Sequence, residues 1–199
     1  MHSPRNKSGH LTTDFLLMAY SNGYFPMADA ESGEIGWYSP DPRAILDLER
    51  FRIPRSLRLT MKKEPFDIHI NKSFKETIRA CAMREETWIS KEIIEAYCRL
   101  HEEGYAHSVE AWKGDQLVGG LYGVAIGGAF FGESMFSFER DASKVALVAL
   151  VRRLRERGYQ LLDTQFITPH LARFGAVEIS RKEYLTRLAT ALEQQCRFV

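Results

Sequence analysis

The chain has 199 residues, 45% of them hydrophobic, and 27 basic against 26 acidic side chains leave a formal net charge of +1. That is enough apolar material for one globular core, and the charge balance excludes a global field that would hold polyanions or a membrane surface, so such a site must come from local clustering. Cys81, Cys98 and Cys196 lack CxxC spacing, the N-terminus MHSPRNKSGH has no secretory apolar stretch, and no apolar run reaches the ~20 residues of a bilayer span, so a cytoplasmic protein with no membrane partner is expected.

Residues 1–10 are polar. Thr12 or Thr13 then caps a predicted helix carrying Phe15, Leu16, Met18 and Ala19 that ends near Asn22-Gly23. The two prolines of Trp37–Arg43 make that segment loop-like, and Ala44–Leu48 reads as a short strand. A small N-terminal subdomain is expected over residues 1–65, with the main domain over 66–199. Phe66–Ile70 alternates as a strand does, and Ser73–Met83 and Ser90–Glu103 have helical periodicity. In the second helix Ile93, Ile94, Tyr97 and Leu100 share one face and read as core.

Three strands follow, over roughly 107–113, 116–126 and 129–136, joined by Lys113-Gly114-Asp115 and Gly127-Gly128 into an antiparallel meander. Asp141 or Ser143 caps a helix that is apolar almost all round, with Gly158 at its end. Leu161–Phe166 returns as a strand, Pro169–Phe174 is a short helix, Ala176–Ile179 a strand, and a terminal helix starts at Ser180. The order implies a mixed α/β fold with a mixed sheet flanked by helices.

The stretch LVGGLYGVAIGGAFFGESMFS carries the strongest chemical signal. Glycine weakens a strand unless a ligand or backbone approaches closely, and Glu133 among Phe130, Phe131, Met135 and Phe136 must be paired or used. Strand alternation sets Phe131, Glu133 and Met135 on one face, and Leu161, Asp163 and Gln165 on one face of the later strand. Two carboxyls and an amide then converge, with Gln165 an acceptor for a substrate amine; a purely structural strand-end network fits the same residues. Trp88, Leu121, Phe130, Phe131 and Met135 supply apolar surface suited to a side-chain pocket, though each singly also reads as core.

Pro54 opens a helix on which Arg55, Arg58 and Lys62 stack; with Arg52 and Lys63 they form a phosphate-sized footprint or a solvated helix face. The histidines show no HExxH or His/Cys pairing, so no metal is expected, and GESMFS is not a nucleophile elbow.

The ordered motifs AYSNGYFP, WYSPDPRA, TWIS, HSVEAW, LVGGLYGVAIG, FGESMFS, DASK and LLDTQ resemble the leucyl/phenylalanyl-tRNA–protein transferase family over nearly the whole chain. The resemblance implies a GNAT-like acyltransferase domain beside a small N-terminal subdomain, acting as a monomer with no cofactor. It implies transfer of Leu, Phe or Met from aminoacyl-tRNA to N-terminal Arg or Lys of acceptor proteins, marking them for N-degron degradation. By it, Asp163, Gln165 and Glu133 are the catalytic group, Trp88, Leu121, Phe130, Phe131 and Met135 the aminoacyl pocket, and Arg52, Arg55, Arg58, Lys62 and Lys63 contact tRNA. Met27 departs from the family's pattern, which often has tryptophan after Phe-Pro. The competing readings are an acetyl-CoA-dependent N-acetyltransferase, disfavoured because Phe138–Asp141 holds no glycine and two acids, and a noncatalytic tRNA-binding module.

Overall fold

The computed structural model describes residues 11–83 and 87–199, so the polar stretch before residue 11 lies outside the described residues. In chain order the elements are α1 (Thr13–Ser21), β1 (Phe25–Ala28), β2 (Ile35–Tyr38), β3 (Arg43–Leu46), α2 (Arg55–Met61), β4 (Asp67–Ile70), α3 (Phe74–Ala82) and α4 (Lys91–Glu102). Then follow β5 (Ala106–Lys113), β6 (Gln116–Ile126), β7 (Ala129–Ser137), α5 (Ala142–Glu156), β8 (Leu161–Gln165), α6 (Pro169–Ala172), β9 (Ala176–Ile179) and α7 (Arg181–Leu192).

Local chemistry accounts for most boundaries. Thr12, Ser90 and Ser180 each accept a backbone N–H at the start of α1, α4 and α7, and glycines at 23, 104 and 158 take positive φ just past the ends of α1, α4 and α5. The hairpin of β1 and β2 forms its own two-stranded sheet, so Ile35–Tyr38 is extended where a loop through Trp37 and Tyr38 was expected.

The main sheet has seven strands in the order β4-β5-β6-β7-β8-β3-β9. Every described ladder in it is antiparallel except β7 with β8, which is parallel. One face packs on α1, α3, α4 and α7 through residues such as Leu16, Ile78, Ile93 and Leu188; the other packs on α5, with Leu57 of α2 in the same core. The expected boundary near residue 65 does not divide this sheet. β3 lies inside it between β8 and β9, because a strand from the N-terminal part is needed to cover the outer edge of β8.

The glycines of β6 make room for protein, which corrects the expectation that they admit a ligand. A Cβ on Gly119 would stand 2.5 Å from that of Ala142, and one on Gly123 would stand 2.3 Å from the Phe131 carbonyl oxygen and 2.5 Å from the Phe130 ring. They let α5 and β7 lie close to β6. Gly123→Ala is therefore expected to destabilise the fold by about 1–3 kcal/mol, read as a lower urea midpoint; an unchanged midpoint contradicts this packing account.

Candidate active site

β7 and β8 pair only from Ala129–Phe131 to Leu161–Asp163. Beyond that point each strand is irregular. The register of β7 on β6 skips Glu133, and that of β8 on β3 skips Thr164, so each strand holds one extra residue at the place where the two stop pairing. Such bulges bend a strand and re-aim its side chains. Between them lies a cavity of about 1000 Å³, lined on one side by Gly132–Ser137 and on the other by Thr164–Phe166.

The bulge also changes which residues share a face. Phe131 packs in the core under α1 and α4, whereas Met135 packs with the α5 core, so the expected single face of Phe131, Glu133 and Met135 is broken at Glu133. Trp88, Leu121 and Met135 line the cavity as expected. Phe130 and Phe131 do not: both are fully buried, Phe130 stacked on Phe198 and Phe131 against Tyr20. They hold the cavity's base from behind.

Glu133 sits at the polar end of the cavity. The Tyr20 hydroxyl donates to its Oε1 at 2.8 Å, the Tyr97 hydroxyl to its Oε2 at 3.3 Å, and the two hydroxyls also touch each other. Gln165 Nε2 donates to Glu133 Oε1 at 3.3 Å, which turns the amide oxygen away from Glu133 on a side chain that lines the cavity. Burial pushes the Glu133 carboxyl up to about 8, with the Asp163 charge adding to the rise and the tyrosine hydroxyls and Arg43 opposing it. Tyr97 thus has a polar function as well as the packing role assigned to its helix face.

Asp163 lies behind the cavity wall rather than in it. It is fully buried, and its carboxylate accepts from Arg43 Nε at 2.9 Å, Arg43 Nη2 at 2.6 Å, Tyr184 Oη at 2.8 Å and the Gln165 backbone N–H at 2.9 Å. The expected link from Asp163 to Gln165 is present, but through backbone instead of the side-chain amide. Gln165 itself has φ +58, a left-handed conformation few side chains adopt. Arg43, Tyr20 and Tyr184 escaped sequence reasoning. The available signals were an arginine opening an apolar strand, and tyrosines where a core helix needs only phenylalanine.

Arg52, Arg55, Arg58, Lys62 and Lys63 are all exposed, on α2 and at its ends. The helix itself approaches the cavity rim through another side, where Thr60 donates to Asp141 Oδ2 at 3.1 Å, and Asp141 lines the cavity with Arg140 and Lys144. Among the described residues, no group of three His, Cys, Asp or Glu side chains is placed to hold a metal. No helix among them is long and apolar enough to cross a membrane.

Fold and cavity together define a mixed α/β protein with a mixed sheet flanked by helices, whose site presents an apolar wall and a hydrogen-bonded polar end. The chain belongs to the leucyl/phenylalanyl-tRNA protein transferase family: it matches that family over residues 45–189 and its N-terminal domain over residues 9–41. Leucyl/phenylalanyl-tRNA–protein transferases from Herpetosiphon aurantiacus, a Ruegeria species and Gloeobacter violaceus are 57%, 54% and 53% identical to it. The alignments cover 94%, 95% and 94% of this chain and 98%, 90% and 97% of those proteins. A solved structure of L-PGS from Bacillus licheniformis is a distant likeness, 11% identical with a TM-score of 0.45 over 92% of this chain and 71% of that one.

The raised Glu133 carboxyl has a consequence for stability. Its folded value of about 8 exceeds the ordinary glutamate value of 4.5, so between those values the native state binds more protons than the unfolded chain and stability falls as pH rises. In Glu133→Gln this contribution is absent. Thermal melts at pH 5 and pH 8 are expected to show a larger fall in midpoint for the wild type than for Glu133→Gln; equal falls would show that Glu133 ionises normally.

Proposed function

We propose that this protein transfers leucine, phenylalanine or methionine from aminoacyl-tRNA to the α-amino group of N-terminal Arg or Lys on acceptor proteins, marking them for degradation. The reading takes the main domain as GNAT-like and the protein as a cytoplasmic monomer that needs no cofactor. The observation that carries it is the cavity between the parted ends of β7 and β8, apolar along Trp88, Leu121 and Met135 and polar at Glu133 and Gln165, in a chain of this family.

In this mechanism the aminoacyl side chain enters the apolar part and the ester carbonyl lies near the polar end. The acceptor amine attacks that carbonyl. The N–C bond forms, the ester C–O bond breaks, and the proton lost by the amine ends on the departing ribose oxygen. Gln165 Oε1 accepts an N–H of the incoming amine and aims its lone pair. Glu133, neutral below about pH 8, adds no second negative charge beside Asp163 and holds the Gln165 amide through Oε1. Glutamine is a poor base, so the gain comes from positioning, which at its best contributes about 7–11 kcal/mol.

An unbranched Cβ suits a slot walled by large side chains, whereas Ile and Val crowd it. Transfer assays with Leu-, Phe-, Met- and Ile-tRNA against Arg- and Lys-initiated peptides are expected to show product with the first three donors only. In Gln165→Ala the rate should fall about 100-fold with tRNA affinity unchanged. Wild-type transfer by that variant, or transfer from Ile-tRNA equal to that from Leu-tRNA, would overturn the assignment.

The basic face of α2 is proposed to hold the acceptor stem through phosphates, without reading sequence. Arg55→Glu should weaken tRNA binding and flatten its salt dependence by roughly 0.7–0.9 in log–log slope per lost contact, while single-turnover transfer at saturating tRNA stays as in the wild type. A salt slope unchanged in Arg55→Glu would remove this residue from the interface.

A further inference from the structure

We infer that Arg43 is a positioning residue for the transfer reaction, acting on Gln165 through Asp163. The inference rests on the aminoacyl-transfer reading of the cavity given above. It concerns a side chain that does not itself line that cavity.

Arg43 opens β3, where Ala44 pairs with Gln165, and its side chain is only 1% exposed. All its contacts are directional. Nε and Nη2 form a two-pronged fork onto the Asp163 carboxylate, Nη1 donates to the Gly23 carbonyl at 3.1 Å, and the guanidinium plane sits between the Phe25 and Tyr184 rings, 4.7 and 4.5 Å from their centroids. Such a fork fixes the plane of its carboxylate as well as its place. The Tyr184 hydroxyl closes the remaining side of Asp163 Oδ2.

The fixed carboxylate has one further task. Asp163 Oδ1 accepts the backbone N–H of Gln165 at 2.9 Å, across a residue held at φ +58. Non-glycine residues keep such a conformation only where their surroundings over-determine it, and here the surrounding groups are Asp163 and, behind it, Arg43. Stability alone gives a weak reason for the arrangement, since a buried ion pair is often replaced by apolar residues of equal volume without loss. Orientation gives a sufficient one: the fork sets Asp163, Asp163 sets the Gln165 backbone, and that backbone aims the amide at Glu133 and the cavity.

Lysine keeps the charge of Arg43 but not the fork. In Arg43→Lys, kcat for transfer from Leu-tRNA is expected to fall about 10- to 100-fold, with KM for Leu-tRNA and near-ultraviolet circular dichroism unchanged. Because the effect passes through Gln165, adding Arg43→Lys to Gln165→Ala should lower kcat no further, a non-additivity that a merely structural role would not produce. A wild-type kcat in Arg43→Lys, or an equal loss in both backgrounds, overturns the inference while leaving the Gln165 assignment standing. Wild-type transfer by Gln165→Ala overturns that assignment and this inference with it. Should Arg43→Lys fail to fold, Tyr184→Phe, which removes a single hydrogen bond to Asp163, is read in the same cycle: a loss of kcat present only with Gln165 intact supports the inference, and no loss or an additive loss overturns it.

Discussion

The structure depends on a parallel strand pair that stops early. β7 and β8 are the one described parallel ladder in an otherwise antiparallel sheet, and they share only three register positions. A sheet that loses pairing in its interior exposes backbone on both sides of the gap, a cost unless water, side chains or a ligand fill it. Here the gap is the cavity. Each strand keeps its other neighbour, β7 with β6 and β8 with β3, so the sheet remains one body while opening in its middle. The bulges at Glu133 and Thr164 put the polar side chains at that opening and the apolar ones on its walls.

Two carboxyls, Glu133 at the opening and Asp163 behind its wall, stand in opposite surroundings. Asp163 faces a guanidinium, a hydroxyl and a backbone N–H, whereas Glu133 faces two tyrosine hydroxyls and an amide, none of them charged. Burial therefore outweighs the tyrosine hydrogen bonds and the Arg43 charge that oppose it at Glu133, and its carboxyl is pushed up to about 8. Glu110, fully buried like Asp163, marks the difference between a structural carboxyl and one at a site. It accepts from the Ser73 backbone, the Ser108 hydroxyl and the Trp112 indole, and is fully buried away from the cavity.

Most elements were legible in the residues because their signals are local. Thr12, Ser90 and Ser180 are helix caps in the sequence and in the fold, and the turn residues Lys113-Gly114-Asp115 and Gly127-Gly128 mark the strand ends of the meander from Ala106 to Ser137. Glu133, Gln165, Trp88, Leu121 and Met135 were legible as a cluster because unusual residue types mark them. What was not legible depends on contacts far apart in the chain. Phe130 and Phe131 read as pocket residues but pack against Phe198 and Tyr20, 68 and 111 positions away by their residue numbers. The bulge at Glu133 leaves no mark in an alternation pattern, yet it reverses the face of Met135. Arg43 reads as one more surface charge after a proline loop until Asp163, 120 residues later, is brought against it.

Arg43 also explains why a boundary after residue 65 is physically awkward. The side chain that fixes Asp163 comes from β3, and the carbonyl that accepts its Nη1 and one of its stacked rings come from Gly23 and Phe25, within the part of the chain that matches the family's N-terminal domain. Tyr20, which holds Glu133, comes from the same part. The polar end of the cavity is thus assembled across the two family regions: β7 and β8 contribute Glu133, Asp163 and Gln165, and Tyr20, Gly23 and Phe25 of the earlier region join Tyr97 and Tyr184 among the groups that hold them. A cut between the regions would leave the reacting side of the site covalently intact but without the Tyr20 hydrogen bond to Glu133 and the Gly23 and Phe25 contacts of Arg43. On the proposed reading, where positioning supplies the catalysis, the N-terminal region is therefore part of the active site and not a separate module beside it.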